Sequence, residues 1–181
     1  MNLMENVKER VMSDSIAIAN YFIDKSAECK IDITLLQLVK LVYIAHGYML
    51  ALLDKSFIES RFDRVEAWRY GPVIPNVYHT FKHNKYNPIK EKGVICLFED
   101  KDMPFVIPSI VEEPKFILDF VWKRYGQMSA NDLVDLLHQK GTPWEYYYQE
   151  GKNNVIPDED TRLYYKAVYK KLRDYEYGQK I

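Results

Sequence analysis

The chain has 181 residues, 48 % of them apolar and 28 % charged, with 25 Lys and Arg against 26 Asp and Glu. That length suits one packed domain, and the apolar content excludes a largely disordered chain. The net charge of -1 excludes an overall basic field that would gather nucleic acid or acidic lipid.

The opening residues, MNLMENVKER, lack an apolar signal core and carry early acidic residues, which points to a cytoplasmic protein. Residues 13–25 place Ile16, Ala19, Phe22 and Ile23 at helical spacing, with Ser13 or Asp14 available as cap. Thr34 and Gln37 then form a capping box, with Ile33 and Leu38 as the hydrophobic staple around it. They open a helix over residues 35–53, LLQLVKLVYIAHGYMLALL, which is nearly long enough to span a bilayer. It carries Gln37, Lys40, His46 and Gly47. Lys40 alone would cost roughly 2.5 to 3.5 kcal/mol near mid-membrane, and the neighbouring segments are amphipathic. The reading is therefore no membrane span but a buried central helix. Gln37, Lys40, Tyr43 and Gly47 step along its single polar side, which is expected to reach solvent or a pocket.

Residues 64–70, RVEAWRY, alternate and are rich in Val, Trp and Tyr, which favours a strand. Gly71-Pro72 is expected to end it, and Pro75 to open a short helix that buries Val77, Tyr78 and Phe81. Residues 82–92 read as polar loop, with Pro88 and Gly93 as breakers. Residues 94–98 and 105–107 read as short strands around an acidic turn. Residues 114–125 form a helix expected to bury Phe116, Ile117, Phe120 and Val121, stopped at Gly126. Ser129 caps the next helix, with Met128 and Leu133 as staple and Asp132 at the third position. Its core face is Leu133, Leu136 and Leu137, and Gly141 stops it. Thr142-Pro143-Trp144 opens an aromatic turn, and residues 151–154 read as loop. Asp158 is expected to cap a final helix holding Leu163, Tyr164, Ala167 and Val168. These elements predict a mainly α (α+β) fold: a single-domain helical bundle around a central apolar helix, with a small antiparallel β element.

No catalytic constellation emerges. The 7 glycines are scattered, so no phosphate-cradling loop or nucleophile elbow is present. Glu112-Glu113 and Asp158-Glu159-Asp160 sit at helix starts, where carboxylates complement the helix dipole. His79 and His83 have helical spacing for two metal ligands but no third ligand near, so neither metal nor cofactor is expected. His46 reads as a hydrogen-bonded core histidine, and Cys29 and Cys96 as small apolar residues. The aromatic run 144–148, without a basic groove beside it, reads as core or interface rather than a base-stacking platform. Lys40 either snorkels outward, pairs with an acid such as Glu66, or is exposed for use.

Three blocks, in order, resemble one family. The helix with Lys40-Leu41, Tyr43 and Gly47 is similar to that family's opening helix. EAWRYGPVIPNVYHTFK, with Ala67-Trp68, Tyr70-Gly71-Pro72-Val73, Pro75 and Tyr78, resembles its most recognisable block. FVWKRYGQMSANDLVDLLHQKGTPW, ending in Pro143-Trp144, and then Val155-Ile156-Pro157 resemble its later blocks. On these residues the chain is identified as a member of the Panacea, or SocA-like antitoxin, domain family, with His46 standing where the family often has Gln. The resemblance implies residues 14–170 as the domain, flanked by an extension over 1–13 and a tail over 171–181. It implies a non-enzymatic antitoxin of a bacterial or phage toxin–antitoxin pair that binds a cognate protein toxin encoded beside it. Alternatives are an adaptor that hands the toxin to a cytoplasmic AAA+ protease, or an enzyme that reverses the toxin's modification through Lys40 with Glu66 or a histidine. A homo-oligomer stays open, and nucleic acid is the least favoured partner. Trp68, Arg69, Tyr70 and Tyr78, with the stripe Gln37, Lys40 and Tyr43, are the candidate partner-binding residues, the alternative being that they are scaffold and that the ends and loops read the toxin. Gly71, Pro72 and Pro75 are the structural turn.

Overall fold

The computed structural model describes residues 15–56, 58, 63–96, 105–110 and 112–178. Helix α1 (Ser15–Cys29) buries Ile16, Ala19, Phe22 and Ile23, the face that the spacing predicts; its cap candidates Ser13 and Asp14 lie outside the described residues. Helix α2 (Leu35–Leu53) starts as the sequence requires: the Thr34 amide donates to Gln37 Oε1 at 3.0 Å. It stops at Asp54, which takes a left-handed conformation at φ 56°. Every residue of α2 from 38 to 51 is buried. By length and composition α2 could cross a bilayer, but most of it is enclosed by the protein itself.

The other elements close around it. In order they are strand β1 (Val65–Trp68), strand β2 (Gly71–Val73), helix α3 (Pro75–Phe81) and a 3-10 turn (Lys82–Asn84). Strands β3 (Ile95–Cys96) and β4 (Phe105–Val106) follow, then helices α4 (Glu112–Tyr125), α5 (Ala130–Leu137) and α6 (Pro143–Tyr147). Strand β5 (Asn154–Ile156) and helix α7 (Asp158–Gly178) end the described chain. Helices α1, α3, α4, α5 and α7 and strand β2 all pack on α2. The fold is thus mainly helical with a small antiparallel sheet, ordered β2-β1-β5, and a separate β3–β4 pair. The acidic turn expected between β3 and β4 lies outside the described residues.

Four expectations need correction. RVEAWRY is not one strand closed by Gly71-Pro72: β1 ends at Trp68, and Gly71-Pro72-Val73 is itself a strand antiparallel to it. In α4 the buried face is Ile117, Leu118, Val121, Trp122 and Tyr125, while Phe116 is exposed. Those five positions form one stripe at helical period, and Phe116 falls about 100° off it. In α7 the buried residues are Thr161 and Tyr165, four apart, and Leu163 faces out. Asp158 is the first residue of α7 rather than its cap; the Thr161 amide donates to Pro157 O at 3.2 Å.

α7 lies close to α2 because Gly47 has no side chain. A Cβ there would stand 2.1 Å from Tyr165 Cδ2. The Tyr165 ring fills that gap, edge-on to Tyr48 at 4.9 Å and to Tyr43 at 5.9 Å between centroids. Tyr48 and Tyr125 share a hydroxyl–hydroxyl hydrogen bond of 2.8 Å. Gly47→Ala is therefore expected to destabilise the fold by about 1–3 kcal/mol through overpacking, despite alanine's better helix propensity. Thermal unfolding with Gly47→Ala at or above wild-type stability would refute this account.

Candidate functional site

The β1–β2 hairpin is the best-defined presenting element. Its register pairs Glu66 with Val73, Ala67 with Pro72 and Trp68 with Gly71, so Arg69 and Tyr70 alone make the turn. Neither of them has positive φ; Gly71 absorbs the reversal at φ 101°, a conformation that disfavours any side chain. Pro72 has no N–H to give to a ladder, and β2 lies at the edge of the sheet, where none is missed.

The hairpin backbone is held from two sides. From beneath, Lys40 of α2 is wholly buried, and its Nζ donates to Pro72 O at 2.9 Å. A Cβ on Gly71 would lie 2.9 Å from that Nζ, so the glycine also serves the close approach. From the side, Trp144 Nε1 of α6 donates to Trp68 O at 2.7 Å. Trp144 itself is clamped between rings, stacked on His138 at 3.6 Å and 4° and on Tyr148 at 4.7 Å.

Glu66 is not the partner of Lys40. Its carboxylate accepts from Arg64 Nε and Trp68 Nε1, both at 2.8 Å. The reason is strand parity: residues 64, 66 and 68 share one face of β1, and Val65 and Ala67 the other. With no carboxylate to hold its charge, burial pulls the Lys40 amine down to about 7. Neutral or charged, an amine can still donate to Pro72 O. His138 Nε2 is buried near the same point, 3.4 Å from where a Gly71 Cβ would be, with no hydrogen-bond partner among the described residues. Burial, and then the Lys40 charge, push the His138 imidazole below its ordinary range.

The polar stripe on α2 is covered rather than open. Gln37 is half-buried and donates from Nε2 to Met128 O at 3.0 Å. Tyr43 is buried against Tyr165, and burial drives its phenol well above the usual value. His46 is the hydrogen-bonded core histidine expected, with Nε2 3.0 Å from Asp158 Oδ1. That contact holds the Asp158 carboxyl below the usual carboxylate range.

On the outside, Trp68 is half-buried and meets Tyr78 edge-on at 5.0 Å, with His79 beside them at 6.3 Å. Tyr70 is 60 % exposed, and the exposed Arg69 guanidinium lies 5.7 Å from the centre of its ring. Pro75 is the first residue of α3, as expected. His79 and His83 are exposed and engage Lys82 and Asn84 respectively. Among the described residues no group of three or more His, Cys, Asp or Glu is placed to hold a metal. The side chains of Glu112, Glu113 and Cys96 lie outside the description.

The sequence reading did not find the contributions of His138, of Trp144 and of β5. One signal for Trp144 was present: a half-buried tryptophan needs an acceptor for its indole N–H, and strand-end carbonyls are ready acceptors.

Lys40 gives a signed pH dependence. Unfolded, its amine keeps a proton up to about 10.5; folded, it releases it near 7. Between those values the unfolded chain holds more protons, so folding stability rises with pH. Wild type is expected to gain on Lys40→Met by up to ~1.4 kcal/mol per pH unit between about pH 7 and 9 in denaturant unfolding. Parallel curves for the two proteins would show that Lys40 does not titrate in this window.

The family described as "Antitoxin SocA-like, Panacea domain" matches residues 38–145, which run from the first turn of α2 through the hairpin into α6. The chain is 34 % identical over 137 residues to Antitoxin SocA of Caulobacter vibrioides (strain NA1000 / CB15N), covering 73 % of this chain and 69 % of that relative. No solved structure matches it significantly. The chain belongs to the SocA-like antitoxin, Panacea domain family.

Proposed function

We propose that this protein is a non-enzymatic antitoxin that neutralises a protein toxin encoded beside it by binding it directly in the cytoplasm. The observation that carries the reading is the hairpin: a backbone fixed by Lys40 and Trp144 that holds Arg69 and Tyr70 outward at its tip. Arg and Tyr offer large contact area and charged hydrogen bonds, and a turn already held in place loses little freedom on binding. Trp68 and Tyr78 continue this surface from its half-buried edge. Gln37, Lys40 and Tyr43 act from beneath: Lys40 positions the hairpin, Gln37 the residue before α5 and Tyr43 α7, rather than meeting the toxin. Membership of an antitoxin family supports the same reading.

The test is to purify the protein with the product of the adjacent gene. A stable stoichiometric complex is expected. Rescue of growth at far below equimolar antitoxin would overturn sequestration and favour a protease adaptor or an enzyme. Within the complex, Arg69→Ala with Tyr70→Ala is expected to weaken toxin binding at least about tenfold with an unchanged melting temperature, as at exposed hot spots. Trp68→Ala is expected to lower the melting temperature as well, because it strips the ring from Tyr78 and leaves Glu66 without its indole donor. Full toxin affinity in the double variant would remove the tip from the interface.

A further inference from the structure

Between Glu66 and Glu91 the chain contains no Asp or Glu, yet it holds Arg69, Lys82, Lys85, Lys90, His79 and His83. In a chain whose net charge is -1, this is a local excess of one sign. The fold brings the hairpin against α3 and its 3-10 turn. Trp68 meets Tyr78 and His79, and Lys82 Nζ reaches His79 Nδ1 at 3.3 Å. Just beyond, Lys85 takes φ 54° and Tyr86 stands 95 % exposed.

Arg69, Lys82 and Lys85 are exposed, and among the described residues none has a carboxylate within ion-pair distance. The basic groups around them are already matched: Arg64 by Glu66, Lys90 by Asp32 and Lys92 by Asp24. The unmatched cations are interspersed with Tyr70, Tyr78 and Tyr86 from the hairpin tip to the end of the 3-10 turn, and those rings supply contact area with few rotatable bonds.

We propose that the hairpin tip and the outer edge of α3 and its 3-10 turn form one docking surface for a protein partner that presents carboxylates to Arg69, Lys82 and Lys85. This rests on the antitoxin reading and specifies the partner: the toxin's contact surface is acidic. Three free cations with tyrosines between them fit a protein interface, where a few charges fix register and speed encounter. A nucleic-acid site commonly neutralises some 6–10 phosphates, for which this face has too few cations.

The test uses the full chain and the product of the adjacent gene. Binding is measured for wild type, for Arg69→Glu/Lys82→Glu/Lys85→Glu, and for a control reversed at Lys30, Lys123 and Lys170, exposed on other elements. Wild type and control are expected to bind alike and to weaken steeply between about 50 and 500 mM salt, since exposed charge pairs are screened. The patch variant is expected to bind at least about tenfold more weakly at low salt, mostly through slower association, with little salt dependence left and an unchanged melting temperature. Restoration of its binding by an Asp or Glu to Lys change in the toxin would support direct pairing. Toxin binding that is equal in wild type and patch variant overturns this proposal and leaves the antitoxin reading standing. Absence of binding by wild type removes both. A fluorescent single-stranded RNA oligonucleotide that binds wild type but not the patch variant, with toxin binding unaffected, overturns it in favour of a nucleic-acid surface.

Discussion

Three polar side chains on a helix with almost no surface dictate where its neighbours sit. From α2, Gln37 reaches Met128 O before α5, Lys40 reaches Pro72 O in β2, and His46 reaches Asp158 at the start of α7. Leaving any of these groups buried and unpaired would cost more than an ordinary hydrogen bond gains. The apolar residues of α2 would accept many packings of similar area, because burial has no direction. The polar ones restrict that choice, since each accepts a neighbour only at hydrogen-bond distance and angle.

The helices were legible because their signals are local. Caps lie within three residues of one another, and both predicted capping boxes form, at Thr34 with Gln37 and at Ser129 with Asp132. The sheet was largely illegible for the opposite reason. Strands of three and four residues carry little periodicity, and β5 pairs with a β1 far away in the chain. The turn at Arg69-Tyr70 was hidden because its glycine follows the two turn residues instead of occupying the turn. Gly47 stood in the sequence only as a position on the polar side of α2, and nothing in α7 marked Tyr165 rather than Leu163 as the side chain that packs on it. The site was legible in part: the motif residues Trp68 to Pro72 could be named, whereas which of them face inward depended on that unreadable strand pairing.

Lys40 illustrates how a polar group can be kept in a core without a counter-charge. A buried carboxylate beside it would bring a second desolvation penalty and depend on good geometry. A main-chain carbonyl costs less and is always there, at the expense of an amine that gives up its proton easily. His138, turned toward the same point, is pushed in the same direction. Burial thus favours the neutral form of both groups beneath the hairpin, and the charge at the tip belongs to Arg69.

Both anchors of the hairpin end on carbonyl oxygens, Pro72 O and Trp68 O, and not on side chains of the turn. Main-chain atoms are present whatever residues are encoded. The two tip positions are thus uncoupled from the framework that carries them, and substitution there leaves Lys40 and Trp144 with the same acceptors. Such a separation lets what the tip presents change while the scaffold stays as it is. A lineage built on it can exchange its vocabulary without relearning its grammar.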